Sequence, residues 1–246
     1  MATAVRDRAK RGKAPSAAKD GPEPGISHNL NGQRLGRKGR DTRDRILAAT
    51  AELLAEPGGM PLSLSAVARR TSLGMSSLYL YFNDLTELLI AVLEPVMATA
   101  EEAYIARMRT RWPDAGLAAC CQKFVRDYHA FWLKNSRILH LRNSMADLHD
   151  SRLMQHRVDS ALPVIRLLVA QMDGDTSAPA TPEFAMASML MTGIERAATI
   201  WTDTELPGLL DAEMFGNADR FRMPAARLLE LGIRDARSRV SGLSGR

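Results

Sequence analysis

Cysteine is almost absent from this chain: there are two in 246 residues, and Cys120 and Cys121 are neighbours. Adjacent cysteines are poorly placed to pair with each other, so no disulfide framework is expected. No secretory apolar core follows Met1, and the two absences together point to a reduced, cytoplasmic protein. Long apolar runs are also missing. The stretch from Ile90 to Val96 is short and broken by Glu94 and Pro95, so no membrane span and no membrane partner is expected. Neither strand-like alternation nor an internal repeat stands out. There is no Ser-His-Asp ordering, no phosphate loop and no pair of acids in a catalytic setting, so turnover is not expected and no cofactor is implied.

What is present is helical patterning and an uneven charge. The formal net charge is +5, but residues 1–45 hold 12 Lys and Arg against 5 Asp and Glu, and the remaining residues are slightly acidic. A polyanionic partner is therefore expected at the N-terminal end only. Residues 1–40 mix those charges with Gly and Pro and have almost no large apolar side chains. Such a stretch cannot bury enough surface to offset its ordering entropy and reads as a flexible basic arm, either a leader without a role or an arm that touches DNA. Arg37-Lys38-Gly39-Arg40 is the part best placed to reach it.

The pattern changes at Asp41. Ile46, Leu47, Ala49, Thr50, Leu53 and Leu54 fall on one helical face, with Asp41 or Thr42 as cap and Pro57-Gly58-Gly59 as stop. Ser63 is set to cap a second short helix whose inward face is Leu64, Val67 and Ala68. Thr71-Ser72-Leu73 turns the chain into a third helix from Ser72 or Gly74 through Leu78 to Phe82. A fourth begins at Asn83-Asp84 and runs toward Met108 with a kink at Pro95. Beyond Trp112-Pro113 the pattern predicts helices over 115–133, 136–148, 151–172, 182–201 and 218–237. The fold class is all-α. The divisions read from the sequence are an arm at 1–40, a helix-turn-helix unit at 41–89, a larger helical part at 90–237 and a flexible tail at 238–246.

Residues 42–89 resemble the N-terminal DNA-binding domain of TetR-type (TetR/AcrR) transcriptional regulators. The resemblance rests on Arg43, Ile46, Leu47, Ala49 and Thr50, then Gly58, Ser63 and Val67-Ala68, and last Leu78-Tyr79-Leu80-Tyr81-Phe82. It implies a DNA-binding regulator with an effector-binding C-terminal part. Three positions depart from the family pattern: Ser72 replaces the turn glycine, Gly74 replaces a capping serine, and Leu85 replaces a lysine that often meets a phosphate.

In that setting Leu78 and Phe82 face inward, which leaves Met75, Ser76, Ser77, Tyr79, Leu80 and Tyr81 toward DNA. The resemblance implies phosphate contacts from the hydroxyls of Tyr79 and Tyr81. It also implies phosphate or base contacts from Ser77 and Ser65, with Ser63, Arg40 and Arg43 at the edge of the footprint. Met75 and Leu80 can pack on thymine methyls. No Arg, Asn or Gln stands on this helix, so shape and apolar contacts are expected to carry specificity. The plainer readings stay beside these: both tyrosines as core aromatics, and Arg43, Arg69 and Arg70 as solvated helix residues.

Eight of the 13 methionines lie between Met97 and Met191. With the nearby aromatics they suggest an apolar effector cavity whose wall includes Met97, Met108, Tyr128, Trp132, Met145, Met154 and Met189, although each could equally be ordinary core. The last two helices suggest a homodimer interface through Phe184, Leu190, Ile194, Trp201, Leu228 and Leu229. A metal at His140, His149 and His156 is disfavoured because Asp150-Ser151 breaks the helix between them, so no metal is expected. The resulting expectation is a dimeric repressor on a roughly palindromic double-stranded operator, released by an apolar small molecule. The alternative is an all-α small-molecule-binding or scaffolding protein that keeps the fold without DNA binding, for which Leu85 is the support.

Overall fold

The computed structural model describes residues 36–56, 61–204, 206–208 and 216–244. Nine α-helices, and no strand, occur among them: α1 (Arg37–Ala55), α2 (Leu64–Thr71), α3 (Met75–Leu78), α4 (Leu85–Ala98), α5 (Leu117–Lys134), α6 (Ser136–Asp147), α7 (Ser151–Gln171), α8 (Pro182–Trp201) and α9 (Asp219–Ser244). A small N-terminal helix-turn-helix unit is followed by a larger helical part. The arm upstream of Gly36 and the expected stop at Pro57-Gly58-Gly59 lie outside the described residues.

Side-chain caps set four of the helix starts. Ser63 Oγ accepts from Ala66 N at 3.2 Å to open α2. At α4, the N-cap Asp84 accepts from Glu87 N through Oδ1 at 2.8 Å, while Glu87 Oε2 accepts from the N–H of the preceding Asn83 at 2.8 Å, a variant of the capping box. Asp150 opens α7 by accepting from the N–H groups of Arg152 and Leu153, and Thr181 opens α8 by accepting from Phe184 N at 3.2 Å.

Three expected boundaries move. Helix α1 begins at Arg37, so Arg37 to Arg40 belong to a helix and not to an arm. Thr42, expected as its cap, lies inside it and donates back to Lys38 O at 2.9 Å. No breaker stands between Arg37 and Asp41, and one interior glycine costs only about 1 kcal/mol. Helix α9 runs on to Ser244, through most of the stretch read as a flexible tail. Helix α4 keeps Pro95 within it, but beyond Ala98 the winding changes to a π-helical turn over Glu101–Ile105 and a 3-10 turn over Ala106–Met108.

The core runs through both parts without a gap. Ile46, Val67, Leu78 and Phe82 are buried in the head, and α4 carries that core onward through Leu88, Leu89 and Leu93. Beyond it, Tyr104 packs edge-on against Phe124, Tyr128 and Phe131, with ring centroids 6.1, 5.1 and 5.4 Å away. The far end is closed by a buried polar node. Gln171 Nε2 donates to the carbonyls of Met108 and Thr110, its Oε1 accepts from Trp112 N, and Arg237 Nε donates to Gln171 O at 2.7 Å. Helices α8 and α9 pack closely at Gly232, where a Cβ would meet Leu190 Cδ1 at 2.6 Å.

Candidate nucleic-acid interface

The head is built around the turn between α2 and α3. Ser72 takes the left-handed conformation there, φ 55° and ψ 34°, a strain of about 1 kcal/mol for a residue with a Cβ. Arg45 Nη2 donates to Thr71 O at 2.9 Å and so satisfies one of the last carbonyls of α2. The third helix is shorter than expected. Regular winding covers only Met75–Leu78, and the chain continues in tighter turns, with Leu80 N on Ser77 O at 3.3 Å and Tyr81 N on Leu78 O at 2.9 Å.

That geometry sorts the side chains into two sets. Leu78 and Phe82 are buried. Met75, Ser76, Tyr79 and Leu80 are exposed, Tyr79 by 48%, while Ser77 and Tyr81 are half-buried. Tyr79 is therefore not a core aromatic, whereas the Tyr81 ring leans on the core and keeps part of its surface outside. Ser65 is exposed beside Ser63, their hydroxyls 3.0 Å apart. Ser63 itself is committed to capping.

The basic residues differ in how they are held. Arg43 lies with its guanidinium 5.2 Å from the centre of the Phe82 ring, which fixes it at the edge of the head. Arg70 is drawn to α1 by Glu56 at 2.5 Å and Glu52 at 3.4 Å, while Arg69 remains exposed. Arg37, Lys38 and Arg40 crowd the start of α1, whose first turn has no acidic residue and no side-chain cap. Cations at the positive end of a helix dipole are unfavourable alone and become favourable when an anion meets both.

Several expected C-terminal sites need correction. Met97, Tyr128 and Trp132 do line one internal chamber, but its volume is only about 20 Å³. Met108 is buried elsewhere in the core and Met145 is half-buried outside that lining. Met154 and Met189 point out of the bundle, Met189 with 72% exposure, and neither lines this chamber. Of the six residues expected at the dimer interface, Leu228 alone is exposed, at 60%. Ile194 and Leu229 are buried within the chain, Phe184 and Leu190 pack partly against its core, and Trp201 stacks on Phe221 at 5.3 Å. Each of α8 and α9 has a broad apolar stripe, and its strongest positions turn inward. Met189, Leu228 and Leu231 form the outward remainder.

Sequence reasoning missed the polar groups of the larger part. Arg142, Glu195, Arg157 and Tyr104 lie at or beside the chamber. Arg142 could have been noticed, because it occupies an apolar register with Ile138, Leu139 and Ala146 on α6. Burial pushes the Cys121 thiol up to about 12, which leaves it protonated and unreactive at neutral pH. Among the described residues no group of three His, Cys, Asp or Glu could hold a metal ion. No described helix is long and apolar enough to cross a membrane.

A helix-turn-helix head with an outward-facing third helix, joined to a larger helical part, defines a class of DNA-binding regulators. Residues 46–92 match the family described as bacterial regulatory proteins, tetR family, which identifies this segment as a DNA-binding domain of that kind. Among 16 matching chains of solved structures is a TetR family transcription regulator from Marinobacter aquaeolei VT8. It is 20% identical, with a TM-score of 0.48, and the match covers 80% of this chain and 98% of that one. No curated protein matches the chain.

Proposed function

We propose that this chain is a homodimeric transcriptional repressor that binds a roughly palindromic operator and releases it when a small molecule occupies the larger helical part. The observation that carries this reading is the split of the third helix, with Leu78 and Phe82 buried and Met75, Tyr79 and Leu80 outside. A helix buried by two anchors and otherwise presenting hydroxyls and apolar tips suits a major groove. The uncapped, basic start of α1 supports a phosphate contact there.

Dimerisation through the outer faces of α8 and α9 is supported by Met189, Leu228 and Leu231, large apolar side chains left exposed on two helices that pack against each other. A two-fold pair of this kind would set the two heads at a fixed separation, which a symmetric operator matches.

Release follows from the way α4 is held. Its start is tied to α7 by Thr86 Oγ1 donating to Asp150 Oδ2 at 2.5 Å and by Arg152 Nη2 on Asp84 Oδ2 at 2.8 Å. Its end reaches the chamber through Met97. A ligand that moves α7 or widens the chamber therefore shifts α4 and the head on it. It does so only as far as its affinity differs between the two arrangements.

The test is fluorescence anisotropy of the full chain on duplex DNA from upstream of its own gene, across a salt series. Preferential binding with a steep fall in affinity at higher salt supports the regulator. Tyr79→Phe should weaken it about fivefold, the loss of roughly one hydrogen bond, at unchanged thermal stability. Absence of any DNA binding favours the alternative of a small-molecule-binding protein that keeps only the fold.

A further inference from the structure

Two arginines are buried in the larger helical part, and they are treated very differently. Arg237, with a side chain 7% exposed, donates Nε to Gln171 O at 2.7 Å, Nη1 to Asp114 Oδ1 at 2.5 Å and Nη2 to Trp112 O at 3.1 Å. Its charge and its donors are answered, and it ties α9 to the end of the bundle. Arg142, 5% exposed, has thinner support. Its Nε reaches Asn143 Oδ1 at 3.0 Å, and its Nη2 reaches Glu195 Oε1 at a long 3.3 Å. Asn143 Nδ2 draws on the same Glu195 oxygen at 3.2 Å. Burial outweighs the Glu195 charge, so the hold of Arg142 on its proton is weakened. A buried cation with a shared, distant counter-ion is under-neutralised and favours a second anion.

The surroundings of Arg142 say what that anion would be attached to. Its guanidinium lies 6.0 Å from the centre of the Trp132 ring and lines the chamber with Tyr104, Tyr128 and Phe131. The chamber, about 20 Å³, holds no more than a water molecule as it stands. It adjoins an open cleft of about 650 Å³ between α6, α7 and α8, and Arg157, Ala161 and Glu195 belong to both spaces. The cleft is of the size that takes small organic ligands. Arg157 stands at the junction, held by Asp147 at 2.9 Å in an exposed pair that contributes little and yields readily. The charged groups lining the chamber favour an anion: two guanidinium groups against the single carboxylate of Glu195, beside two tyrosine hydroxyls that burial keeps protonated and able to donate. Flexible Met97 and Met191 in the wall allow it to widen.

We propose that this cleft and chamber form a site for a small aromatic carboxylic acid, its carboxylate held between Arg142 and Arg157 and its ring seated against Trp132. The proposal rests on the reading of the larger part as an effector domain and changes the expected effector from an apolar molecule to an amphipathic acid. Entry draws Arg157 from Asp147 and spreads the chamber wall at Met97, the end of α4, so occupancy bears on the helix that carries the DNA-binding head.

Isothermal titration of the full-length protein, without DNA, compares 2-naphthoate with its neutral amide and with 2-naphthylmethylammonium at pH 7. The acid should bind at least about tenfold more tightly than the amide, the difference one good charge-assisted contact makes. Arg142→Met should bring acid and amide to equal affinity, and Glu195→Gln, which removes the competing carboxylate, should tighten the acid several-fold. If Arg142→Met fails to fold, Arg157→Met and Glu195→Gln carry the comparison. Equal binding of acid and amide, preference for the ammonium, no binding of the acid, or weaker acid binding by Glu195→Gln each overturns the proposal. DNA anisotropy on the same preparation separates the two readings. Intact DNA binding without naphthoate binding removes the acid site and leaves the regulator, and the opposite pair of results does the converse.

Discussion

Thr86 and Asp150, 64 residues apart in sequence, are joined by a 2.5 Å hydrogen bond from the threonine hydroxyl to Asp150 Oδ2. The other carboxylate oxygen of Asp150 accepts from the first N–H groups of α7, so one side chain both starts that helix and holds the beginning of α4. The left-handed residue before it, His149 at φ 69°, lets the turn between α6 and α7 bring Asp150 into this position. Head and larger helical part thus meet at a defined joint.

Replacing Thr86 by Val removes the donor and keeps the shape. The Thr86 bond is the main reason the Asp150 carboxyl lies below the ordinary aspartate range. A lowered native pKa contributes stability that is present above the unfolded value, near 3.8, and is lost as pH falls through the native one. Thr86→Val should therefore lower stability at neutral pH by about 1 kcal/mol, the size of one net hydrogen bond, and lose less on acidification below pH ~4. Urea titrations at pH 7 and in the acid range read both effects.

His129 gives pH dependence in a different window. It is buried against Phe221, ring centroids 5.1 Å apart, and its Nε2 has no hydrogen-bond partner among the described residues. Burial, and then Arg222, lower its affinity for a proton. The unfolded histidine titrates near 6.5, so below that pH the unfolded chain takes up the proton first and the native state loses ground. His140 and His156 shift the same way through burial. The melting temperature should fall between pH 7.5 and 5.5, and His129→Leu should flatten part of that fall.

Ser72→Gly tests the turn of the head. The residue sits at φ 55°, where glycine has no Cβ to strain. Relief of about 1 kcal/mol is offset in part by the greater freedom of glycine in the unfolded chain, leaving a gain of no more than about 0.5 kcal/mol. Thermal melts of the two proteins measure it.

Much of this architecture was legible from local chemistry. The capping residues Ser63 and Asp84 announced helix starts because an N-cap depends on a few neighbouring atoms. The turn at Ser72 was visible for the same reason, as was the Leu78/Phe82 pair that orients the third helix. The larger helical part was less readable. Methionines with the same composition signal ended on opposite sides of the bundle, Met97 at the chamber and Met189 outside, because which side a helix buries depends on neighbours distant in sequence. The apolar register of Arg142 hinted at its burial, but its partner was not legible, because Glu195 lies 53 residues away on another helix.

Leu228→Glu addresses the pairing of chains. The side chain is 60% exposed on the outer face of α9 and contributes little to the core of its own chain. Sedimentation velocity should show dimers for the unaltered protein and a shift to monomers for the variant, with helix content by circular dichroism unchanged. Two charged residues brought together across a two-fold axis suffice for that shift.

The most direct test is selection of duplexes bound by the full-length protein from a random library, followed by sequencing. The expected result is an enriched inverted repeat, its half-sites about one helical turn apart, bound more weakly when Tyr79 is changed to Phe. Recovery of DNA with no enriched sequence, or an enriched site indifferent to Met75, Tyr79 and Leu80 substitutions, would contradict the outward-facing third helix as the element that reads DNA.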